Sequence, residues 1–412
     1  MTFHVVGAGV AGLAGALMLA RAGHRVILYE ATPAPGGRAR ALPDGTDNGT
    51  HALLGTNRVA FRFLSAIGAR EGWVEPEPQG LPVLDLADGS ARQVALSPLG
   101  WARAARRPAG LSWGGVLALA KLGLPGADRT VAEAFAAHPT LLRALVEPLT
   151  VAALNTPAPE ASARLLGVVL RRLAAPGAAR LFVAARGLGP DLVAPAVATL
   201  GCHGATLRAG MRLRGIERQG DRVTALDFGD HAVALPPEEA VLLAVPPWEA
   251  ARLLPGVPAP QLHAPILNLH FAHATDGPVR FIGLLGGLAQ WMLVRPGGVS
   301  VTVSAADDSV GLSEEEAARR IWPELREAAL RFGLPGDWPV APPPARAVRE
   351  RRATPRHGIG PRPCPPRRPL ANLALAGDWT LPELPATIEA AIRSGEAAAA
   401  ALLSAPVPKD TP

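Results

Sequence analysis

The stretch that most constrains this chain is Gly7-Ala8-Gly9-Val10-Ala11-Gly12, set between a short apolar run at 3–6 and a helix-like run at 13–21. Arg25-Val26-Ile27-Leu28-Tyr29 follows with the pattern of a buried strand and ends on Glu30, 18 residues after Gly12. A strand, glycine turn, helix, strand and terminal acid in register form a dinucleotide-binding unit. Gly7 makes the tight turn, Gly9 carries no side chain to block a pyrophosphate, and Gly12 lets the helix close onto the strand. The helix N-terminus offers free N–H groups and a positive dipole end to the phosphates. Glu30 is placed to accept adenosine ribose hydroxyls, and its charge repels a 2′-phosphate, which disfavours NADP. FAD and NAD remain open on this unit alone.

Composition narrows the rest. With 412 residues, 49% of them hydrophobic, the chain can bury the cores of two or three domains of about 150 residues, so disorder is excluded. The net charge of +6 is uneven: eight arginines lie between Arg346 and Arg368 against one acid, Glu350, which leaves the remainder near neutral. No nucleic-acid-coating surface is expected. Cys202 and Cys364 form no CxxC pair, so neither a disulfide framework nor a metal site is expected. Residues 1–20 lack a basic leader and are punctuated by glycine, unlike a signal peptide, and no other window is apolar enough to span a bilayer. A cytoplasmic protein is expected.

Further motifs carry a resemblance. Pro35-Gly36-Gly37-Arg38 resembles the GG-Arg extension of the amine oxidase and phytoene desaturase flavoproteins. Leu373-Ala374-Leu375-Ala376-Gly377-Asp378-Trp379 resembles their last strand and turn. Asp47-Asn48-Gly49-Thr50-His51, Pro265-Ile266-Leu267-Asn268-Leu269-His270, Gln290-Trp291, Arg349-Glu350-Arg351-Arg352-Ala353-Thr354 and Leu384-Pro385-Ala386-Thr387-Ile388-Glu389 are similar to the hydroxysqualene dehydroxylase family, in that family's order. The chain departs from the family pattern at Glu383, where the family has Gly, and at Pro355, where it has an aromatic.

The resemblance implies an α/β fold: an FAD-binding Rossmann-type domain, of the glutathione reductase and amine oxidase kind, with an inserted α+β substrate domain. The FAD domain is expected from 1–60, 185–258 and 370–404, the substrate domain from 61–184 and 259–369, and a flexible tail at 405–412. It implies FAD contacts at Gly37, Arg38, Gly49, Gly377 and Asp378, a backbone contact at Leu213, and a helix beginning at Thr387 and Ile388 against the flavin's pyrimidine ring. The implied reaction takes the allylic hydroxyl from an apolar isoprenoid, hydroxysqualene, and gives squalene, with electrons from a donor the sequence does not name. Loss of that hydroxyl needs a proton donor, for which His51 is the candidate. Trp291 is the candidate to set a ring face against the allylic cation. Because the substrate is insoluble, peripheral membrane contact is expected at 101–124, where Trp101 and Trp113 are interleaved with Arg103, Arg106 and Arg107. The rival readings are a carotenoid or phytoene desaturase, another amine oxidase-type enzyme, or a non-catalytic prenyl-lipid carrier.

Other motifs carry less. Gly110-Leu111-Ser112-Trp113-Gly114 matches a nucleophile elbow but follows no strand. His270 and His273 lie three apart in a strand-like alternation and so face opposite sides.

Overall fold

The computed structural model describes residues 1–404 except 123, 125 and 127, so the tail expected at 405–412 lies outside the described residues. The opening unit folds as its spacing predicts. Thr2–Val6 and Arg25–Tyr29 are parallel neighbours with Val6 opposite Tyr29, joined by helix Val10–Arg21. Thr206–Arg208 adds to the far side of Arg25–Tyr29, while Ala240–Leu243 and then Leu373–Leu375 add beyond Thr2–Val6, all parallel. Numbered along the chain, the five strands run 3-2-1-4-5 across the sheet. The order reverses between the first and fourth strands, and a ligand crevice forms at the carboxyl ends there.

Backbone proximity sets this half. A Cβ on Gly12 would lie 1.9 Å from the Gly7 carbonyl oxygen, and one on Gly395 would lie 2.1 Å from that of Ala11. Helix Val10–Arg21 and the last helix, Ile388–Leu403, therefore touch main chain to main chain. Gly215–Gln219 and Arg222–Asp227 form a hairpin, with Ala232–Ala234 as a third strand.

A second, seven-stranded sheet stands opposite. Its order is Ala345–Pro355, His263–Phe271, Gly298–Ser304, Trp291–Arg295, Arg280–Leu285, Leu81–Asp85 and Ser90–Val94. Alternation divides its faces. Leu267, Leu269, Phe271, Val299, Val301 and Val303 pack against Ile321, Trp322 and Leu325 of helix Glu314–Arg331. The opposite face carries the buried polar residues Asn268, His270, Ser300 and Thr302. A small sheet of Ala52–Leu54, Leu181–Ala184 and Trp73–Val74 lies beside it. The apolar runs 141–154 and 165–173 become helices that enclose Phe135, Leu141, Leu154 and Leu166.

The basic segment is an edge strand followed by loop, and acids from distant parts of the chain pair with two of its eight arginines. Arg346 pairs with Asp44, and Arg356 with both Glu160 and Asp307. Arg349 and Arg368 donate to the carbonyls of Leu312 and Ala371.

Candidate active site

The two large sheets face each other across a cavity of about 430 Å³, within the ordinary range for a small-molecule site. From the parallel sheet and its turns, Gly7, Gly9, Glu30, Gly37 and Arg38 line it, and Leu213 joins them from the segment after Thr206–Arg208. Gly377, Asp378, Thr387 and Ile388 line it from the last strand and helix, Gly49 and His51 from the loop before Ala52–Leu54. Gly12 and Trp291 do not line it, the first because it does the packing its spacing implies. Gly12 sits behind the turn in the helix–strand contact. Trp291 is not among the lining residues: in register opposite Gly283, it stacks on Phe281 with ring centroids 5.5 Å apart.

Each polar group is held. Glu30 accepts from the N–H of Ala8 at 3.0 Å and from the N–H and Oγ1 of Thr32 at 2.9 and 2.8 Å. Those bonds use three of about four acceptor sites on a carboxylate, leaving one for the cavity. Arg38 makes a bidentate pair with Asp378, 2.8 Å to each oxygen, and donates to the Ala353 carbonyl at 2.5 Å. The pair ties the GG-Arg turn to the Gly-Asp turn across 340 residues of chain. The carboxylate is buried, while 41% of the Arg38 side chain remains accessible at the cavity wall. Thr387 caps the last helix, its Oγ1 accepting from the Ala390 N–H at 3.2 Å, and so presents the helix's positive end to the cavity. Glu389 points away, accepting from the Ala60 N–H at 2.8 Å and from Arg393 at 2.7 Å.

A second polar set comes from the seven-stranded sheet. Thr302 Oγ1 donates to Asn268 Oδ1 at 2.8 Å, which leaves the Asn268 amide N–H groups for the other side. That side is Gly49: a Cβ there would stand 3.2 Å from Asn268 Nδ2 and 3.8 Å from His51 Nε2. The absent side chain keeps open a space that both groups reach. Asp47 fixes the loop, accepting from the Leu188 N–H at 2.7 Å and from Arg295 at 3.0 Å. Burial pushes the His51 pKa below its ordinary value, with the Asp47 carboxylate offsetting only part of the effect, so the ring is neutral at pH 7. Sequence reasoning missed Asn268 as a site residue and the Asp47–Arg295 pair. For Asn268 the signal was present as one polar residue in an apolar strand.

A glycine floor, one free acceptor at Glu30, one cation at Arg38 and a helix N-terminus fit a flavin dinucleotide. The model of the flavin-containing amine oxidoreductase family matches residues 10–403. Hydroxysqualene dehydroxylase from Sinorhizobium fredii is 39% identical over 97% of this chain and 98% of its own. The enzyme of that name from Rhodopseudomonas palustris is 40% identical over 98% and 99%. The chain belongs to the hydroxysqualene dehydroxylase family. Its cofactor is FAD, and it is an oxidoreductase. Cyclohexylamine oxidase from Brevibacterium oxydans superposes with a TM-score of 0.70 at 16% identity, covering 97% of this chain and 98% of that one, which shows the shared fold. Zeta-carotene desaturase from Synechocystis matches over only 17% of this chain.

Apart from the glycines and the Arg38–Asp378 pair, the cavity wall carries Asn268 and His51 beside Gly49. Among the described residues, no helix is long and apolar enough to cross a membrane.

Proposed function

We propose that this chain removes the allylic hydroxyl of hydroxysqualene reductively, giving squalene and water. The observation that carries this reading is that Asn268 Nδ2 and His51 Nε2 both lie within 4 Å of where a Cβ on Gly49 would stand, at the wall of the large cavity. A C–O bond that breaks with its electrons on oxygen needs hydrogen-bond donors at that oxygen and one proton. The Asn268 amide, oriented by Thr302, holds the hydroxyl; His51, as the imidazolium, supplies the proton. Reduced FAD, when bound, supplies the hydride equivalent that replaces the hydroxyl. Because the His51 pKa is lowered, the acid form grows as pH falls below neutrality, so turnover rises on the acid side of pH 7 and His51→Gln removes that rise.

In the same reading Gly7, Gly9, Gly37 and Arg38 hold the pyrophosphate of FAD and Glu30 its adenosine ribose. Leu213 lies against the adenine end, Gly377 and Asp378 against the ribityl chain. Thr387 and Ile388 present the helix N-terminus to the pyrimidine edge, where negative charge is favourable, and Gly49 leaves room on the flavin's face. The FAD domain takes 1–60, 185–258 and 370–404, with the substrate domain between these pieces.

An insoluble isoprenoid is collected from a bilayer, and the surface offers a place for the contact. Leu99, Trp113, Leu117 and Leu124 are 85, 90, 55 and 66% exposed, beside the exposed Arg103 and Arg107. Trp101 plays a different part from Trp113: it is half-buried and donates its Nε1–H to the Ala95 carbonyl at 2.8 Å. Peripheral attachment to anionic lipid follows.

The test is anaerobic incubation of the flavin-reduced holoenzyme with hydroxysqualene. Squalene is the expected product. Dehydrosqualene, which is hydroxysqualene less water, would show elimination without hydride transfer, and no product from a fully flavin-loaded protein would also overturn the reading.

A further inference from the structure

Behind the loop that leads into the last helix lies a second, smaller cavity of about 40 Å³. At roughly 10–15 Å³ per water-sized centre, that admits two or three waters or one small ion. It shares Asp378, Trp379 and Ala386 with the large cavity, and apart from Arg356, His357 and Arg362 the rest of its wall is apolar, with Pro260, Pro355 and Pro382 among it. Two polar side chains of its wall each carry a buried nitrogen without a partner. His357 is 4% exposed; its Nε2 accepts from the Ala386 N–H at 3.2 Å, so in the neutral ring Nδ1 carries the hydrogen, and Nδ1 is buried with no partner. Arg362 has its Nη1 buried without a partner and makes no ion pair among the described residues. Asp128 and Glu383 act on its charge from beyond pairing distance.

The other charges at this cavity are already matched. Asp378 is held by Arg38, and Arg356 by Glu160 and Asp307. Arg362 is thus a partly buried guanidinium without an ion-pair partner among the described residues, beside a second buried donor and a carboxylate, Asp378, that is already committed to Arg38, an arrangement that is unfavourable unless something completes it. We propose that this alcove binds a small monovalent anion, such as chloride or formate, between Arg362 and His357. The site lies outside the space assigned to FAD and substrate. Through the His357–Ala386 hydrogen bond, its occupant steadies the turn before Thr387 and so the end of the helix that faces the large cavity.

The experiment compares chloride, bromide and gluconate at constant ionic strength on the FAD-loaded protein, reading Tm and the visible flavin spectrum. Chloride and bromide are expected to raise Tm saturably and shift the flavin band, whereas gluconate, too large to enter, does neither. Arg362→Met keeps the apolar stem and loses both responses. A bromide-soaked crystal should show its anomalous peak beside Arg362 Nη1 and His357 Nδ1, a readout that survives if Arg362→Met fails to fold. Equal responses to all three salts, a response retained in Arg362→Met, or no bromide at the alcove would overturn the proposal and leave a water-filled pocket. None of these readouts depends on turnover, so failure of the dehydroxylase reading would not be confused with failure of the anion site.

Discussion

The two large sheets share one cavity but are held together by different means. In the parallel half, strands of three to five residues and two helices meet at backbone distance, and a single added methyl at Gly12 or Gly395 has nowhere to go. In the seven-stranded half the strands reach 11 residues and cohesion comes from interlocking side chains. Trp322 is fully buried there, stacked on Trp338 at 5.5 Å, with the His273 ring edge-on at 5.2 Å. A half built on backbone contact tolerates few residues at its key positions, whereas a half built on packing can be refilled in many ways. The nucleotide-binding turns lie in the half that leaves little room for substitution, and Asn268 lies in the half that leaves more.

Four measurements would sharpen or break this contrast. The largest effect is expected from Trp322→Ala, which empties the centre of the packed half and should cost about 3–5 kcal/mol in denaturant unfolding; a cost below about 1 kcal/mol would show that the packing is not cohesive. Next comes acid. Burial, followed by the Arg362 charge, holds His357 at about 4, and His263, His270 and His273 are lowered too, chiefly by burial. All four lie on, or just beyond, strands of the seven-stranded sheet. Each is depressed in the folded state, so between pH 6.5 and 4 the unfolded chain binds more protons and stability is lost as pH falls. His357 alone contributes roughly 3 kcal/mol over that window. His357→Gln should flatten that part of the acid limb in a Tm-versus-pH series, and an unchanged slope would remove His357 as its source.

Third is Gly395→Ala, expected to cost about 1–3 kcal/mol by overpacking and to loosen FAD, as read by flavin retention on gel filtration. A silent substitution would break the contrast, because the helices would then not be in backbone contact. The smallest effect is at the surface. Trp113→Ser should weaken binding to anionic vesicles about tenfold, the equivalent of about 1.4 kcal/mol of apolar burial, without changing Tm. Equal flotation of both proteins would place the membrane contact elsewhere.

How much was legible in the sequence follows the same division. Gly7, Gly9 and Glu30 were readable because the strand, glycine turn and helix demand particular residues at particular spacings, while Gly37, Arg38 and Asp378 were legible only through the family resemblance, and all six line the cavity. That Arg38 and Asp378 grip each other was not readable, since no spacing encodes a contact across 340 residues. Trp291 was expected against the substrate, yet strand register sets its ring against Phe281 and over Gly283. Asn268 is the converse: only its pairing with Thr302 and its nearness to Gly49 reveal which way its amide is turned. The basic run from Arg346 to Arg368 was legible as a local concentration of charge, but not its partners: Arg346 pairs with Asp44 and Arg356 with Glu160 and Asp307, acids that lie far away in the sequence.

The central claim is that hydrogen is delivered to the carbon that loses its hydroxyl, while the oxygen leaves as water from the space between His51 and Asn268. Its most direct test is a single turnover of flavin-reduced holoenzyme with hydroxysqualene in D2O, without oxygen, following flavin absorbance and the product's mass together. Reduced flavin exchanges its transferable hydrogen with solvent, so the flavin should reoxidise as squalene appears with one deuterium at the former carbinol carbon. Flavin that stays reduced, or squalene formed without deuterium, would contradict the account.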